Sequence, residues 1–425
     1  MSKYTDHLGR PLVAITGLGV VSSLGRGKEE NWAALTSGTS GIHTITRFAV
    51  DNLRTRIAGT VDFLEESWEG ASALSLKLAL LAAEEAILQA RFPIDNFGGP
   101  LFVAAPPVEL EWYDRFALAA LIGSEGEPGY ALLLAACRLG PQVEMFNTAE
   151  FGYIADRIAD TFGTRGLPIT LSTACASGAT AIQLGVEAIR RGESDRVLSI
   201  GTDGSVSAEA LIRFSLLSAL SSHNEPAHKA AKPFSLDRDG FVMAEGSGAM
   251  VMESLESAVA RGANVLGIMR GCGEKADDFH RTRSKPDASP AIGAISAALN
   301  DAGLKDDAVD YVNAHGTSTP ENDKMEYLAM STVFGDRISS LPVSSNKSMI
   351  GHTLTAAGAI EAVFSVLTIQ TGTIPPTINY DNPDPTIILD AVPNVKRDAR
   401  VSSVLSSSFG FGGQNTCLVM TAEPN

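Results

Sequence analysis

Residues 167–178 read Leu-Pro-Ile-Thr-Leu-Ser-Thr-Ala-Cys-Ala-Ser-Gly, and this stretch decides the fold. Residues 169–173 form a strand-like run that ends in small residues and leads to one cysteine, Cys175. Residues 177–192 have the apolar periodicity and the terminal glycine of a helix. A cysteine at the start of a helix lies at the positive end of the helix dipole, which favours the nucleophilic thiolate. The stretch alone is equally compatible with a reactive thiol and with a buried, inert one.

The chain has 425 residues and is acidic, with 33 Lys and Arg against 49 Asp and Glu and a net charge of −16. We therefore predict that nucleic acid is not its partner. Its 40 glycines suit closely packed layers with tight turns. The four cysteines lie far apart with no C-x-x-C spacing. This pattern predicts neither a metal site nor disulfides, and it is typical of the reducing cytoplasm.

Two further features favour a cytoplasmic protein without membrane insertion. Residues 1–11 are polar and lack the apolar core of a signal peptide. We find no run of about 18 uncharged apolar residues, because charges interrupt the apolar stretch at 74–90.

Segments with strand character alternate with segments of helical periodicity along the chain, which predicts an α/β layered fold. The predicted strands are 12–21, 100–105, 169–173, 196–202, 246–253, 265–272, 311–315, 341–345, 404–408 and 417–421. The predicted helices are 28–37, 74–91, 147–161, 177–192, 255–261, 290–302, 322–334 and 355–370. Residues 106–142 are hard to interpret and are compatible with a surface insertion, a dimer element or a pocket lid.

A faint internal repeat supports duplication. A Leu-Pro pair, a strand, a polar turn and a Gly-Ala helix start follow one another at 167–179 and again at 341–359. We predict two halves, residues 1–260 and 261–425.

The predicted turn between the first strand and the helix at 28–37 contains Gly17-Leu-Gly-Val-Val-Ser22, which nearly matches a dinucleotide-binding fingerprint. Serine replaces the third glycine, and no strand ending in an acidic residue follows about 20 positions later. We therefore interpret these glycines as a tight turn after the first strand.

Four polar clusters, three of them at the ends of strand-like runs, are suited to acyl transfer. They are Cys175, Asn313-Ala-His-Gly-Thr-Ser-Thr-Pro320, Ser345-Asn-Lys-Ser-Met-Ile-Gly-His352 and the glycine-rich Ser408-Phe-Gly-Phe-Gly-Gly413. A thiol nucleophile, two histidines and a loop of backbone N–H donors provide the groups that this chemistry needs.

Together, these four motifs resemble those of the β-ketoacyl-acyl carrier protein synthases, and most closely the elongating synthase II type. The resemblance is dense from about residue 165 to the C-terminus. It implies a thiolase-type five-layer αβαβα fold of two duplicated halves, a homodimer, and substrates carried on the phosphopantetheine of an acyl carrier protein, with no other cofactor. The implied reaction is a decarboxylative Claisen condensation of an acyl-enzyme with malonyl-acyl carrier protein in fatty acid elongation.

The resemblance also assigns catalytic roles. Cys175 would take the acyl chain, and His315 and His352 would stabilise the negative charge that forms when the malonyl group loses carbon dioxide. Lys347 and Glu361 would support the histidines. The alternative for this pair is a solvent-facing lysine and a helix-surface glutamate.

Further residues would bind the substrate. The backbone N–H groups of Cys175 and Phe411 would form the oxyanion hole, and Phe411 would gate the acyl pocket. The remaining substrate-binding candidates are Thr317, Thr319, Phe409, His280 and Thr282.

The chain departs from the family pattern in several places. Thr-Leu-Thr follows His352, Ile350 replaces a typical threonine, and Asn322 stands where glycine is frequent. The helix that offers basic residues to the carrier protein in relatives is acidic here at 65–70. We therefore predict that carrier docking uses other cations, namely Arg213, Arg281, Arg283 and Lys285.

Two alternatives remain open. A thiolase would need a second cysteine in a glycine turn near the C-terminus, whereas Cys417 lies in a strand-like run. A catalytically silent partner subunit would resemble a chain-length factor, but such subunits lack the cysteine. The acyl chain length is open, and a role with long or specialised chains is a hypothesis.

Overall fold

The structure is a computed structural model, and it describes residues 3–64, 70–107, 110–120, 130–139 and 143–422. The strands are β1 Val13–Ser22, β2 Gly25–Arg26, β3 His43–Thr44, β4 Ile57–Ala58, β5 Leu101–Ala104, β6 Ile169–Leu171, β7 Arg196–Asp203, β8 Gly246–Ser254, β9 Gly267–Ala276, β10 Tyr311–Asn313, β11 Val343–Ser344, β12 Thr373–Ile374, β13 Arg397–Asp398, β14 Ser403–Phe409 and β15 Gln414–Thr421. The helices are α1 Gly27–Ser37, α2 Ala71–Gln89, α3 Trp112–Ala120, α4 Tyr130–Arg138, α5 Val143–Ala149, α6 Tyr153–Phe162, α7 Ser177–Arg190, α8 Ala208–Leu216, α9 Leu255–Ala260, α10 Ser289–Ala302, α11 Pro320–Phe334, α12 Lys347–Ile350 and α13 Ala357–Thr371.

The strand order repeats between the two halves of the chain. The first half runs β1-β8-β7-β5-β6, and the second runs β9-β15-β14-β10-β11. In the first half β8 pairs antiparallel with β1 and β7, and in the second half β15 pairs antiparallel with β9 and β14. The remaining pairs are parallel, namely β7-β5-β6 in the first half and β14-β10-β11 in the second. β1 and β9 join the two sheets through a short antiparallel pairing. The predicted duplication is therefore confirmed, whereas the boundary at 260/261 stays a prediction.

Helices α7 and α13 pack against each other in the middle layer between the two sheets. A Cβ atom on Gly178 would lie 2.6 Å from the backbone N of Ala359, and one on Gly358 would lie 2.6 Å from the backbone N of Ala179. The two glycines that define the sequence repeat therefore let the helices cross closely. Helices α2 and α10 cover the outer faces, which completes the αβαβα layering.

The glycines of the first strand have a different role from the one that we predicted. Gly17 and Gly19 lie within β1 and not in a turn after it. A Cβ atom on Gly17 would lie 2.0 Å from the carbonyl O of Ala86, and one on Gly19 would lie 1.9 Å from that of Ala82. The glycines are thus required because α2 packs directly on the strand. The interpretation as a tight turn is wrong.

Most of the other predicted elements are present with ends shifted by a few residues, but the predicted helix at 147–161 is wrong. Two helices, α5 and α6, occupy this region, with a break at Glu150–Gly152 between them. Residues 354–371 are apolar enough to cross a membrane, with a mean hydropathy of 1.4, but 83 % of this segment is buried inside the protein. It is the core helix α13 with the turn before it.

The difficult segment at 106–142 is described only in part. Helices α3 and α4 contact each other, and Trp112 and Phe116 stack on the exposed surface of α3 with ring centroids 5.7 Å apart. Residues 65–69 of the acidic segment, and 108–109, 121–129 and 140–142 of this one, lie outside the described residues.

Candidate active site

Cys175 lines a cavity of about 330 Å³. Strand β6 ends at Leu171, and the thiol follows four residues later, two residues before the start of α7. Ala174 adopts a left-handed backbone conformation with φ of 50°, which makes the turn from strand to helix sharp. A sharp turn of this kind presents a nucleophilic side chain at the end of a strand.

The thiol of Cys175 is 8 % exposed, and this burial decides its protonation state. Burial raises the pKa of Cys175 to about 11, while the Phe411 N–H and the charge of Lys347 lower it less strongly. The resting thiol is therefore protonated at neutral pH. Removing the sulfur from water disfavours its charged form, and this effect opposes the influence of the helix dipole that the sequence predicts.

The turn between β14 and β15 lies across the nucleophile. The N–H of Phe411 interacts with the Cys175 sulfur, and a Cβ atom on Gly410 would lie 3.3 Å from the backbone N of Cys175. Two backbone N–H groups thus converge beside the thiol, as an oxyanion hole requires. Phe409, at the end of β14, packs against His315 with ring centroids 5.8 Å apart.

His315 follows strand β10 and is held by a buried ion pair. The Lys347 ammonium contacts Glu361, donates to the His315 carbonyl at 2.7 Å, and lies 3.3 Å from His315 Nδ1. Since an ammonium can only donate, Nδ1 must accept, and the imidazole proton lies on Nε2. Burial, Lys347 and His352 hold the pKa of His315 well below its usual value, so this ring is a neutral donor.

The ion pair itself is fully inside the protein. Lys347 and Glu361 have side chains 2 % and 1 % exposed, so the solvent-facing alternatives for both residues are wrong. Burial raises the pKa of the Glu361 carboxyl to about 7 against the opposing effect of Lys347.

His352 stands immediately after α12 and faces His315, with ring centroids 5.3 Å apart. Its backbone is fixed by the N–H donated to the Val242 carbonyl at 2.7 Å and by the N–H that Ala244 donates at 2.9 Å. Burial, and then the charge of Lys347, lower the pKa of His352 well below the usual value. The site therefore holds two neutral imidazoles beside one thiol.

The predicted substrate-binding residues line the same cavity. The hydroxyls of Thr317 and Thr319 lie 2.8 Å apart, and His280 Nδ1 accepts the backbone N–H of Thr282 at 3.1 Å. Their roles remain predictions, but the structure brings them together with Cys175.

Only two of the four predicted docking cations line this cavity. Arg281 and Arg283 are exposed and line it, and the Arg281 carbonyl accepts the Gly412 N–H at 2.7 Å. Arg213 and Lys285 do not line it. Arg213 lies on α8 with its guanidinium 3.7 Å from Glu209.

Sequence reasoning missed a buried carboxylate beneath His315. Glu326 on α11 accepts the backbone N–H groups of His315 and Gly316, both at 2.7 Å. It also missed Phe241, whose ring meets that of His352 edge-on at 5.3 Å. For Glu326 the sequence offers one signal, an acidic residue in the helix that directly follows the His315 motif.

The comparisons with known proteins agree with this geometry. Family models described as the N-terminal and C-terminal domains of β-ketoacyl synthase match residues 11–258 and 266–381. The 3-oxoacyl-[acyl-carrier-protein] synthase 2 of Coxiella burnetii is 36 % identical, over 96 % of this chain and 98 % of that protein. The tetracenomycin polyketide synthase ketoacyl synthase alpha subunit of Streptomyces glaucescens is 37 % identical, over 96 % of both chains.

Solved structures are similar as well. A type II polyketide ketosynthase in complex with its acyl-carrier protein superimposes with a TM-score of 0.87 at 33 % identity, covering 97 % of this chain and 100 % of that one. A β-ketoacyl synthase from Burkholderia phymatum gives 0.83 at 30 % identity, with coverage of 97 % and 100 %. The fold and site define a condensing acyltransferase of the thiolase fold. The chain belongs to the β-ketoacyl synthase family.

The thiolase alternative finds no support in the structure. Cys417 lies within strand β15, is fully buried, and contacts Ser407. A second catalytic cysteine would need access to the cavity that Cys175 lines.

Proposed function

We propose that this protein elongates fatty acyl chains by decarboxylative condensation with a malonyl-carrier, in the manner of a 3-oxoacyl-[acyl-carrier-protein] synthase 2. The observation that carries the proposal is the convergence of a thiol and two neutral imidazoles, Cys175, His315 and His352, on one cavity. A silent partner subunit would not need this set.

In the first step the Cys175 sulfur attacks the thioester carbon of an acyl-carrier. The negative charge on the carbonyl oxygen is stabilised by the backbone N–H groups of Cys175 and Phe411. The carrier thiol leaves with the proton that Cys175 loses, so the exchange is balanced. Because the resting thiol is protonated, this proton transfer is part of the acyl exchange itself.

In the second step the malonyl thioester loses carbon dioxide and becomes an enolate. The negative charge develops on its thioester oxygen, where Nε2–H of His315 is oriented to donate and His352 offers the second donor. The enolate carbon attacks the acyl-Cys175 carbonyl, which releases a β-ketoacyl-carrier and the thiolate. The thiolate takes one proton from solvent, which completes the cycle.

Cys175→Ala tests the proposal by intact-mass measurement after incubation with acyl-carrier. We expect the acyl adduct on the unmodified protein to disappear in the variant. Cys272→Ala is the matched control, because Cys272 is a buried cysteine of β9 outside the cavity. An adduct of unchanged yield on Cys175→Ala would contradict the assignment.

We also propose a cytoplasmic homodimer. Strand β6 is at the edge of the sheet, next to Leu167, which is 91 % exposed, and it contains Ile169, which is 46 % exposed. An uncovered edge strand with apolar neighbours favours pairing with another chain. Ile169→Lys is expected to give monomers in light-scattering measurements, and a dimer that survives this change would place the interface elsewhere.

Carrier docking is proposed at Arg281 and Arg283, because both residues are exposed and line the cavity, and acidic carriers carry a phosphodiester on the pantetheine arm. Reversing their charge should raise KM for the acyl-carrier at least fivefold while leaving kcat within about twofold. Arg213→Glu is the control outside the cavity, and an equal effect there would instead indicate a broad docking surface.

A second candidate function is the catalytic half of a polyketide synthase pair. It is favoured by the tetracenomycin relative, which is as similar to this chain as the fatty acid synthases are. The products of multiple turnover decide between the two. Release after one condensation supports elongation, whereas repeated condensation without reduction supports a polyketide role.

A further inference from the structure

A buried carboxylic acid, Asp203, joins the two halves of the protein beside the nucleophile. It is the last residue of β7, in the first half, and is 1 % exposed. Its Oδ2 accepts the backbone N–H of Thr355 at 3.2 Å and lies 2.8 Å from the Thr355 hydroxyl, in the second half. Its Oδ1 accepts the N–H of Ser205 at 3.0 Å and the Ser205 hydroxyl at 2.5 Å. The reaction described above does not use this acid.

The hydroxyl of Thr355 has one proton, but two oxygen atoms lie within hydrogen-bond distance of it. Its Oγ1 lies 2.7 Å from the carbonyl O of Thr202 and 2.8 Å from Asp203 Oδ2. A hydroxyl has one proton and a carbonyl can only accept. If that proton goes to Thr202, the second contact is a hydrogen bond only when Asp203 itself donates.

The surroundings of Asp203 also favour its neutral form. Burial raises the pKa of the Asp203 carboxyl, and the Ser205 and Thr355 contacts lower it less. The strongest effects that lower this pKa come from the uncharged partners Ser205 and Thr355. A negative charge here would also raise the pKa of the Cys175 thiol, which Lys347 lowers.

The contact stands next to a strained residue of the cavity wall. Leu354 precedes Thr355, has φ of 46°, and lines the cavity. It packs in one apolar cluster with Cys175 and with Val206, which follows Ser205. A left-handed leucine needs neighbours that hold its backbone in place.

We propose that Asp203 keeps its proton in the resting protein and donates it to Thr355, and that this contact holds Leu354 in the cavity wall beside Cys175. Asp203 and Thr355 are then positioning residues for acyl transfer. They act on the acyl-accepting step and not on decarboxylation, because the contact fixes the apolar wall beside Cys175, whereas the backbone of His352 is held separately by its hydrogen bonds to Val242 and Ala244. The kinetic part of this inference rests on the proposed function.

The proton is tested by infrared difference spectra of the unmodified protein and Asp203→Asn at pH 7. We expect the difference to contain the carbonyl band of a protonated carboxylic acid. The difference spectrum also removes bands from other buried acids such as Glu326. Carboxylate bands alone would overturn the proton assignment, and this measurement needs no substrate.

The positioning role is tested by Thr355→Val, which keeps the shape and removes the hydroxyl, and by Thr355→Ser, which restores it. Thr355→Val should slow acylation of Cys175 roughly tenfold, the effect of one lost buried hydrogen bond, with malonyl decarboxylation within about twofold. Thr355→Ser should acylate within about twofold of the unmodified protein.

Three results of the kinetic experiment would contradict the positioning role. Wild-type acylation by Thr355→Val, or equal losses in both steps, would overturn the positioning role, and so would failure of Thr355→Ser to recover. Absence of any acyl-Cys175 in the unmodified protein would instead contradict the proposed function. The infrared result would then still decide the state of Asp203.

Discussion

Replacing Lys347 by methionine should make the free energy of unfolding depend on pH in a way that reveals whether the Glu361 carboxyl is protonated. The two side chains form a buried pair, and Lys347 is the cation in contact with the carboxylate. Without the ammonium, Glu361 must either stay charged in an apolar interior or take up a proton. Burial already raises the pKa of Glu361 to about 7 in the presence of Lys347, so the variant's carboxyl has a pKa of at least that value.

The magnitude follows from linkage. A carboxyl whose pKa is higher in the folded than in the unfolded state binds an extra proton when folded, so stability is lost as pH rises. The ordinary pKa of this side chain is 4.5. A fully titrating group loses about 1.4 kcal/mol per pH unit, and between pH 5 and pH 7 the total loss is about 2.2 kcal/mol for a folded-state pKa of about 7, rising to about 2.6 kcal/mol for a higher one.

The comparison that isolates this effect is Lys347→Met against the double variant with Glu361→Gln. Urea unfolding at pH 5, 6 and 7 gives the free energy of unfolding of each. We expect the double variant to gain about 2.2 to 2.6 kcal/mol relative to Lys347→Met over this range. A difference that does not change with pH would refute the reasoning, because Glu361 would then be ionised in the folded protein as it is in the unfolded one.

The same double variant separates structure from catalysis. Lys347 fixes the proton of His315 on Nε2, so its loss lets the imidazole adopt the other tautomer. Malonyl decarboxylation should fall roughly 10- to 100-fold, less than for removal of a direct donor. Acylation of Cys175 should change far less, and equal losses in both steps would show that the pair acts on the whole site.

Three further predictions concern the nucleophile, the second imidazole and the first strand. The rate of iodoacetamide reaction at Cys175 should rise about tenfold per pH unit from pH 7 to 10, because its pKa is about 11, and a plateau below pH 9 would contradict this. His352→Ala should slow malonyl decarboxylation far more than Cys175 acylation in single-turnover assays, and equal losses would remove its assigned role. Gly19→Ala should lower the free energy of unfolding in urea by about 1–3 kcal/mol. The control is Gly152→Ala, which should lower it by less than about 1 kcal/mol, because the new Cβ atom would meet only the Asp156 carboxylate at 3.7 Å.

The sequence predicts this fold well because its strongest signals are local. Alternating strands and helices, and Gly-Ala pairs at the starts of two central helices, depend on residues close together in the chain. The motifs at His315 and His352 follow β10 and β11, which are parallel neighbours, so both motifs lie at the same edge of one sheet. Cys175 follows β6 in the other half of the chain, and it reaches the same cavity because α7 and α13 pack against each other in the middle layer.

What the sequence could not predict depends on contacts between distant residues. Gly17 and Gly19 look like turn glycines until α2 is packed on β1. The high pKa of Cys175 results from burial by several segments, so the local helix start suggests the opposite direction. Glu326 and Asp203 look like ordinary helix and strand-end acids, and only the fold places them beneath His315 and beside Thr355.

The duplicated fold explains why one active site results from two similar halves. Cys175 stands three residues before Gly178 in the first half, and Thr355 stands three residues before Gly358 in the second. The two crossing helices therefore begin in equivalent surroundings, but only one carries a nucleophile. A second thiol at Thr355 would remove the hydroxyl that Asp203 contacts. The second half thus uses its equivalent position to support the first, while the segments after its strands supply His315 and Lys347 and helix α13 supplies Glu361.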